Sequence, residues 1–552
     1  MPLLTSWRVL PDFLGFDHSP LSFTIAGSYP KHYDDRRLDW RSVSWDDFRC
    51  NLQSAFEAAF PSPLPHGTSE EIQSYYDAFD TALQTTITDC VPLKRTCWAS
   101  NPWWSPELEH LRRDYIQTRR RWQRTRRRED KATANAHQRA LRQAIASAKR
   151  DSWRRFCEEA TEENLWDAFK KVTRTRGPHR IGTLEVNGQR LYGDAQKATA
   201  LMQKFFPPPS DLESADHLAT EDHVTTLLSR APSHPVPGVT AHEIHSAIRA
   251  SGAWKAAGLD HVMNVCLREC ESILLPHLIT LFSASLQCQF LPRQWRCAEV
   301  LAVPKPGGDP CLPKGYRPIS LLSCISKVLE RIVTDRLTFS LETRFQLSDQ
   351  QFGFRRTRST EWALWNFVHA ASLTLKARRK TVLLSLDIQS AYDRVWHAGL
   401  LRKLGDADVP LGLVGWIGAF LRDRQASLRV GTTSISQPLP VGVPQGSPLS
   451  PVLFLVFIDD LLRTLATQAS VQAFADDIVI WWTLGKGECG SARGNALLEE
   501  VLAWANCWKM IFNPAKCKFL VISRLRREPL PVLRLDGVPL ECVSSLRYLG
   551  VW

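Results

Sequence analysis

The sequence predicts an α+β fold for its second half, preceded by a basic and mainly helical region. Two observations predict this architecture. The second half alternates helical patterns with short apolar strands, which is typical of mixed folds. Residues 107–176 contain neither glycine nor proline, so long helices are expected there. A chain of 552 residues is also long enough for several domains.

The net charge of +12 is concentrated in one segment of the chain. Residues 112–155 contain sixteen lysines and arginines but only four acidic residues, so the rest of the chain is neutral. Such a basic stretch indicates a polyanionic partner. No membrane partner is expected, because the longest apolar run, Val452–Ile458, is far below the roughly 20 residues that a membrane span needs.

The first hundred residues show little that suggests chemistry. Residues 1–26 contain two strand-like segments, Trp7–Leu10 and Leu21–Ile25. A segment of 26 residues is too short to bury a hydrophobic core of its own. Residues 27–100 predict helices and loops that connect this segment to the basic region.

The basic region is predicted over residues 101–206. Ser105-Pro106-Glu107 predicts a helix start, with a capping residue, a proline at the first position and an acid in the first turn. Asn187-Gly188 predicts a hairpin with a type I′ turn. Residues 207–239 contain six prolines and predict a linker to a domain over 240–552.

Three carboxylates in this last domain suggest a shared site. Asp387 follows the predicted strand Val382–Leu386, and Asp476 and Asp477 lie between two apolar strands. Alone, each would be an ordinary turn residue. Together they suit two-metal phosphoryl chemistry, since Mg²⁺ prefers oxygen ligands and two such ions serve both the attacking and the leaving oxygen.

Several segments, in chain order, resemble a known family. Three of them are similar to motifs A, B and C of reverse transcriptases: SLDIQSAYDRVW, VGVPQGSPLSPVLF and AFADDIVI. Others narrow the resemblance to the non-LTR (LINE-type, jockey-like) retrotransposon polymerases: GYRPISLLSCISKVLERIVTDRL, QFGFRRTRST, Asn513-x-x-Lys516 and Arg547-Tyr548-Leu549-Gly550. The resemblance implies a right-hand polymerase with fingers and palm over about residues 240–552.

The resemblance also implies roles for the residues that match the family motifs. Asp387, Asp476 and Asp477 would be the catalytic and metal-binding carboxylates, with Asp387 and Asp476 as the direct bridging ligands. Tyr392 would be a steric gate, whose ring excludes a ribose 2′-hydroxyl; otherwise it is a core residue.

Five further residues would contact the nucleotide. Gln445 and Gly446 match the loop that contacts the nucleotide and template base. Lys305 and Arg317 match basic finger positions that grip the triphosphate, although each would also be ordinary as a solvated surface charge. Lys516 matches a general acid for the pyrophosphate leaving group.

The sequence departs from the family pattern in several places. Residues 255–261 lack two prolines and a glycine of the family's outer finger loop. Gly15–Pro20 resembles the last motif of an apurinic-type endonuclease, and Asp17 and His18 are expected to be inert because the rest of that domain is missing. A thumb is likewise expected to be missing after residue 550.

The expected cofactors are two Mg²⁺ ions, with Mn²⁺ as an alternative, and the expected partners are an RNA template, a DNA primer or target, and dNTPs. Such a ribonucleoprotein is expected in the nucleus and cytoplasm. The basic helices are either a nucleic-acid-binding surface or a solvated face between domains. Seven arginines are the candidates for the former: Arg119, Arg120, Arg121, Arg124, Arg126, Arg127 and Arg128.

Two other functions compete with an RNA-directed DNA polymerase. One is a catalytically impaired, nucleic-acid-binding remnant of such an element. The other is an RNA-dependent RNA polymerase, which shares the Asp-Asp hairpin; Tyr392 and the endonuclease-like segment argue against it.

Overall fold

The computed structural model describes most of the chain in segments: 38–60, 67–93, 103–158, 181–208, 213–230, 235–344, 346–485, 488–523 and 530–551, together with the backbone of 4–9 and 21–25. Asp17 and His18 lie outside the described residues. Two compact units are present: one comprises residues within 1–42 and 91–179, the other residues within 43–90 and 180–552.

The helices, in chain order, are α1 (Trp45–Ala59), α2 (Ser69–Cys90), α3 (Pro106–Thr125), α4 (Arg128–Glu158), α5 (Asp194–Phe205), α6 (Ala215–Ser229), α7 (Ala241–Ala250), α8 (Asn264–Glu269), α9 (Glu271–Gln287), α10 (Cys324–Thr343), α11 (Thr360–Lys376), α12 (His397–Asp406), α13 (Leu411–Leu421), α14 (Ser450–Ala466) and α15 (Ser491–Cys507). Among the residues that the structure describes, none of these helices combines the length and apolar character that crossing a membrane requires.

The strands are β1 (Leu4–Val9), β2 (Leu21–Ile25), β3 (Leu184–Val186), β4 (Gln189–Leu191), β5 (Cys297–Pro304), β6 (Tyr316–Leu321), β7 (Lys380–Leu386), β8 (Gln425–Val430), β9 (Thr433–Pro438), β10 (Ser470–Phe474), β11 (Asp477–Leu484), β12 (Lys518–Ile522), β13 (Arg534–Leu535), β14 (Val538–Pro539) and β15 (Glu541–Cys542). Four strands predicted from the sequence are confirmed within two residues at each end: 298–303, 382–386, 471–475 and 478–482.

The first unit contains the β1–β2 pair and the α3–α4 helical hairpin. Ser105 caps α3 by accepting a hydrogen bond from the Leu108 amide at 3.4 Å, and Pro106 occupies the first turn, as predicted. Arg126, with φ +56, ends α3 and turns the chain into α4.

The second unit is built around a five-stranded sheet in the order β10-β11-β7-β12-β15. The central strand, β7, is antiparallel to both neighbours and is buried except at Ser385, which is half-buried. Leu364 and Phe367 of α11 cover one face of this sheet through Leu383 and Val479. From Val382 to Leu386 the strand is apolar except at Ser385, as expected for a buried strand.

A second, four-stranded sheet has the order β6-β5-β8-β9. The β5–β6 hairpin is antiparallel, whereas β5 and β8 are parallel. Leu201 and Phe205 of α5 pack against this sheet at Val300 and Leu428. The adjoining β3–β4 hairpin turns at Asn187 (φ +51) and Gly188 (φ +77), which confirms the predicted type I′ turn.

The prediction of a proline-rich linker over 207–239 is wrong for its central part. Residues 215–229 form α6, capped by Ser214, whose hydroxyl accepts from the His217 amide at 3.3 Å. Arg402 of α12 donates to Thr220 at 2.8 Å, so α6 is bound to α12 within the second unit. The flanking prolines restrict only the ends of this segment, and they do not prevent a helix between them.

Residues 43–90, which were predicted to be part of a connecting segment, also contribute to the core of the second unit. Tyr76 of α2 contacts Trp295 edge to face at 5.0 Å, and Gln73 donates to Gln294 at 3.0 Å. Tyr76 and Trp295 are both buried almost completely. Helices α1 and α2 therefore belong to the core of the second unit.

We expect Tyr76→Ala to lower the free energy of unfolding of the second unit by about 3 kcal/mol, because it leaves a cavity beside Trp295. Denaturant unfolding followed by tryptophan fluorescence measures this change. Tyr192→Ala is the matched control, since Tyr192 is 68% exposed and its removal creates no cavity. A Tyr76→Ala protein that melts α1 and α2 separately, with an unchanged main transition, would contradict the shared core.

Candidate active site

The three predicted carboxylates meet at one end of the central sheet. Asp387 directly follows β7, and Asp477 is the first residue of β11. Ile478 pairs with Leu386, so Asp477 lies one residue beyond this pair, beside Asp387. Asp476 occupies the two-residue turn between β10 and β11, since Phe474 pairs with Asp477. The register of β7 and β11 therefore brings together residues that are ninety positions apart in the chain.

The turn that carries Asp476 is tight. Its first residue, Ala475, has φ +57, a left-handed conformation that is unfavourable for a residue other than glycine. Such a backbone needs support from its surroundings.

The support comes from Gln351, which is 1% exposed. Its Oε1 accepts hydrogen bonds from the amides of Ala475 and Gly353, both at 2.9 Å, and its Nε2 donates to the Ala475 carbonyl at 3.3 Å. The backbone reinforces this contact, because the Phe352 amide donates to the Ala473 carbonyl at 2.8 Å. A Cβ at Gly353 would collide with the Ala475 amide. Residues 350–353 therefore hold the turn in place through hydrogen bonds and close packing.

Burial raises the pKa of both Asp476 and Asp477. The charge of Asp387 adds to the rise in the pKa of Asp476, and Asp476 and Asp387 together add to that of Asp477. Arg317 and Lys516 act in the opposite direction on the pKa of Asp476. By solvent exposure Asp387 and Asp476 are half-buried and Asp477 is exposed. Adjacent, partly desolvated carboxylates that repel each other form a site that favours a cation.

In this structure the cation at Asp387 is Lys516. Its Nζ donates to the two carboxylate oxygens of Asp387 at 3.3 and 3.2 Å. The Asn513 amide donates to the Asp387 carbonyl at 2.9 Å, which fixes the backbone of the lysine's segment next to β7. Among the described residues, no three histidine, cysteine, aspartate or glutamate side chains converge closely enough to hold a metal ion as they stand.

The two basic residues of the β5–β6 hairpin lie near the carboxylates. Arg317 pairs with Val303 across the hairpin and is exposed, and Lys305 follows β5 and donates to the Lys314 carbonyl at 2.8 Å. Burial lowers the pKa of Lys305, and the like charges of three neighbouring cations lower it further. These cations are Lys516, Arg317 and Lys204. Lys204, on α5, was not anticipated from the sequence.

Tyr392 lies in a short helical turn after β7. Its ring stacks on Phe454 of α14 at 4.9 Å, and its carbonyl accepts from the Val443 amide at 2.8 Å. Burial raises the pKa of Tyr392, and the charge of Asp476 contributes. The ring is therefore both packed in the core and near the carboxylate site.

The glycine- and proline-rich loop, residues 441–450, runs from β9 into α14. Gly446 has φ +136, and a Cβ there would collide with the Ser320 carbonyl of β6. The Ser320 amide donates to the Gln445 carbonyl at 2.8 Å. Ser447 donates to the fully buried Glu330 at 2.5 Å. The loop is thus held against the four-stranded sheet and α10.

The seven candidate nucleic-acid-binding arginines lie at the tip of the α3–α4 hairpin, in the first unit. All are exposed except Arg119, which is half-buried. Arg121 pairs with Asp130 at 3.0 Å, and the Arg126 guanidinium lies 5.8 Å from the ring centre of Trp122. Trp122 is buried, so its ring is out of reach of a nucleic-acid base, whereas Trp153 is 40% exposed.

Comparison with known proteins gives a family for part of the chain. The family model for reverse transcriptase (RNA-dependent DNA polymerase) matches residues 303–552. In Drosophila melanogaster, the probable RNA-directed DNA polymerase from transposon BS is 33% identical over 329 residues, covering 58% of this chain and 36% of that protein. The corresponding protein of transposon X-element is 26% identical over 569 residues, covering 98% and 60%.

A third relative, the RNA-directed DNA polymerase from mobile element jockey of the same organism, is 31% identical over 328 residues, covering 58% of this chain and 35% of that protein. The chain therefore matches between about a third and three fifths of the length of these relatives.

We expect Gln351→Leu to lower the free energy of unfolding by about 2 to 4 kcal/mol, because it leaves two buried amides without an acceptor. It should also speed hydrogen exchange in peptides that cover residues 471–480, as measured by mass spectrometry. Gln350→Leu is the matched control, since only the main chain of Gln350 pairs with the hairpin. Equal exchange in the two variants would show that the side chain of Gln351 does not support the turn.

Proposed function

We propose that residues 303–552 form a reverse transcriptase domain and that the chain is an RNA-directed DNA polymerase of a non-LTR retrotransposon. The observation that carries the proposal is the register of β7 and β11, which places Asp387 beside the Asp476–Asp477 turn. Adjacent carboxylates at the end of a buried sheet suit nucleotidyl transfer to a primer 3′-hydroxyl. The five-stranded sheet is assigned to the palm and the β5–β6 hairpin to the fingers.

The donor set fits Mg²⁺, because this ion is bound through one or two carboxylates and fills its other positions with water and substrate phosphate. Asp387 and Asp476 would hold the metal directly, and Asp477 would be the weaker ligand. Two Mg²⁺ ions, or Mn²⁺, would activate the primer hydroxyl and neutralise charge on the departing pyrophosphate. Since Lys516 now pairs with Asp387, metal binding requires its ammonium to leave that carboxylate.

Once its ammonium group has left Asp387, Lys516 can act on the substrate. In the reaction the primer 3′-oxygen bonds to the α-phosphorus of the dNTP, the bond to the pyrophosphate oxygen breaks, and the hydroxyl proton passes to solvent. Lys516 donates a proton to the pyrophosphate as it departs. Lys305, Arg317 and Lys204 bind the triphosphate, since three cations near one another favour an anion between them.

The remaining assignments concern the substrates. Tyr392 excludes the ribose 2′-hydroxyl, which is supported by its stacking on Phe454 and by the nearby charge of Asp476. Gln445 and Gly446 contact the nucleotide and the template base. The template is RNA, the primer is target DNA, and the seven arginines of the α3–α4 hairpin bind phosphates, which agrees with their exposure.

We expect Asp387→Ala and Asp476→Ala each to reduce Mg²⁺-dependent primer extension on poly(A)/oligo(dT) about a thousandfold, which corresponds to about 4 kcal/mol of transition-state stabilisation. Asp406→Ala, which removes an exposed carboxylate of α12, is the control and should keep the parent rate. A variant that retains more than a tenth of the rate would show that its carboxylate does not bind the metal. A parent chain without primer extension would favour the catalytically impaired remnant.

We expect Tyr392→Val to raise the incorporation of ribonucleotides relative to deoxyribonucleotides, because the smaller side chain leaves space beside C2′ of the sugar. The ratio of the two kcat/KM values measures this change. Tyr192→Val, at an exposed position, should leave the ratio as it is. The same ratio in both variants would leave Tyr392 with a packing role only.

We expect binding of single-stranded RNA to weaken with salt at a slope near −4 in log K against log salt, if roughly six cations contact phosphates at about −0.7 each. Changing the seven arginines of the α3–α4 hairpin to glutamine should flatten that slope. Changing them to lysine should preserve it, because lysine keeps the charge. A slope that survives the glutamine changes would place the RNA-binding surface in the second unit.

A further inference from the structure

Gln445 has a buried partner that the proposed function does not use. Its Nε2 donates to both carboxylate oxygens of Asp393, at 2.9 and 2.8 Å. Asp393 is 8% exposed and follows Tyr392 in the short helical turn. Among the described residues, Gln445 is the one hydrogen-bond donor to the Asp393 carboxylate.

The backbone around this pair is fixed. The amides of Gly442 and Val443 donate to the carbonyls of Val395 and Tyr392, each at 2.8 Å. Gly442 has φ +88, and a Cβ there would lie within 2.8 to 2.9 Å of three backbone atoms of Asp393. The loop and the turn therefore touch closely, and Gln445 and Asp393 cannot separate without moving both.

The chemistry of the pair determines which way the Gln445 amide faces. Above its pKa of about 7 the Asp393 carboxylate is ionised and only accepts hydrogen bonds, so it binds the amino group of the side-chain amide and repels the carbonyl oxygen. With Nε2 directed to Asp393, Oε1 is directed away from it. Gln445 is half-buried, and among the described residues no donor is bonded to Oε1. That oxygen is available as a hydrogen-bond acceptor.

We propose that Asp393 is a positioning residue that fixes the Gln445 amide with its carbonyl oxygen toward the bound nucleotide, so that the site selects a substrate group that donates a hydrogen bond. The inference rests on the proposed function, in which Gln445 contacts the nucleotide. Burial raises the pKa of Asp393 to about 7, and the Gln445 hydrogen bonds, followed by the charge of Arg394, oppose the rise. Keeping Asp393 ionised beside Gln445 therefore costs desolvation free energy.

Asp393→Asn tests this role, because asparagine has the same shape but binds an amide in either orientation. We expect KM for dNTPs to rise about five- to tenfold, with kcat within about twofold of the parent, and misincorporation to increase. Asp406→Asn, the same change at an exposed position of α12, should alter none of these values. Thermal unfolding should show both variants folded.

A second arm separates positioning from a structural role. On a Gln445→Ala background, Asp393→Asn should have no further effect on KM, since the group it positions is gone. An undiminished effect on that background, or an unchanged KM and misincorporation in the single variant, would overturn the proposal. If Asp393→Asn does not fold, Asp393→Ser replaces it under the same criteria, because a hydroxyl also binds either end of an amide.

A third arm keeps the inference independent of turnover. Equilibrium binding of a fluorescent dNTP to the protein with template and primer is measured in Ca²⁺, for the parent and the same variants. If the parent does not extend primers, the proposed function fails, but a weaker dNTP affinity in Asp393→Asn that disappears on the Gln445→Ala background still supports the positioning role. Equal affinities in parent and variant would reject it.

Discussion

The structure depends on holding three like-charged carboxylates together at the end of a buried sheet. Burial and mutual repulsion both raise the pKa of Asp476 and Asp477, so the ionised cluster is unfavourable without compensation. The strand register alone brings the residues together, and the neighbouring cations Lys516 and Arg317 offset part of the repulsion. A site with this balance favours added positive charge, which is what a phosphoryl-transfer centre requires.

The turn carrying Asp476 is supported by the fold rather than by its own sequence. Ala475 adopts a left-handed conformation that glycine would adopt more easily, and Gln351 stabilises it with two hydrogen bonds from a segment 124 positions away in the chain. Gly353 is needed there because any side chain would displace the turn. The QFGF segment therefore supports the turn that carries Asp476.

The sequence predicted the features that depend on local pattern, and it missed those that depend on packing. The strands around the carboxylates, the Asn187-Gly188 turn and the Ser105 cap were all predictable, because their signals lie within a few residues. The prolines around α6 suggested a linker, because composition does not show that Arg402 binds Thr220. Gln351 opens the QFGFRRTRST segment, but its support of the Asp476 turn was not predictable, since its hydrogen-bond partners become neighbours only in the folded chain.

The glycine- and proline-rich loop, residues 441–450, is held rigid by contacts with two different elements of the fold. Two buried carboxylates anchor it through side-chain hydrogen bonds: Asp393 binds Gln445, and Glu330 binds Ser447. Hydrogen bonds to charged groups are stronger than neutral ones, and an unpaired buried carboxylate is costly, so loop and anchors stabilise each other. Glu330 also accepts from Ser326 of its own helix at 2.6 Å, which ties the loop to α10. A loop fixed on two sides has little freedom left to lose on binding a ligand, and this is the physical basis for a preorganised site.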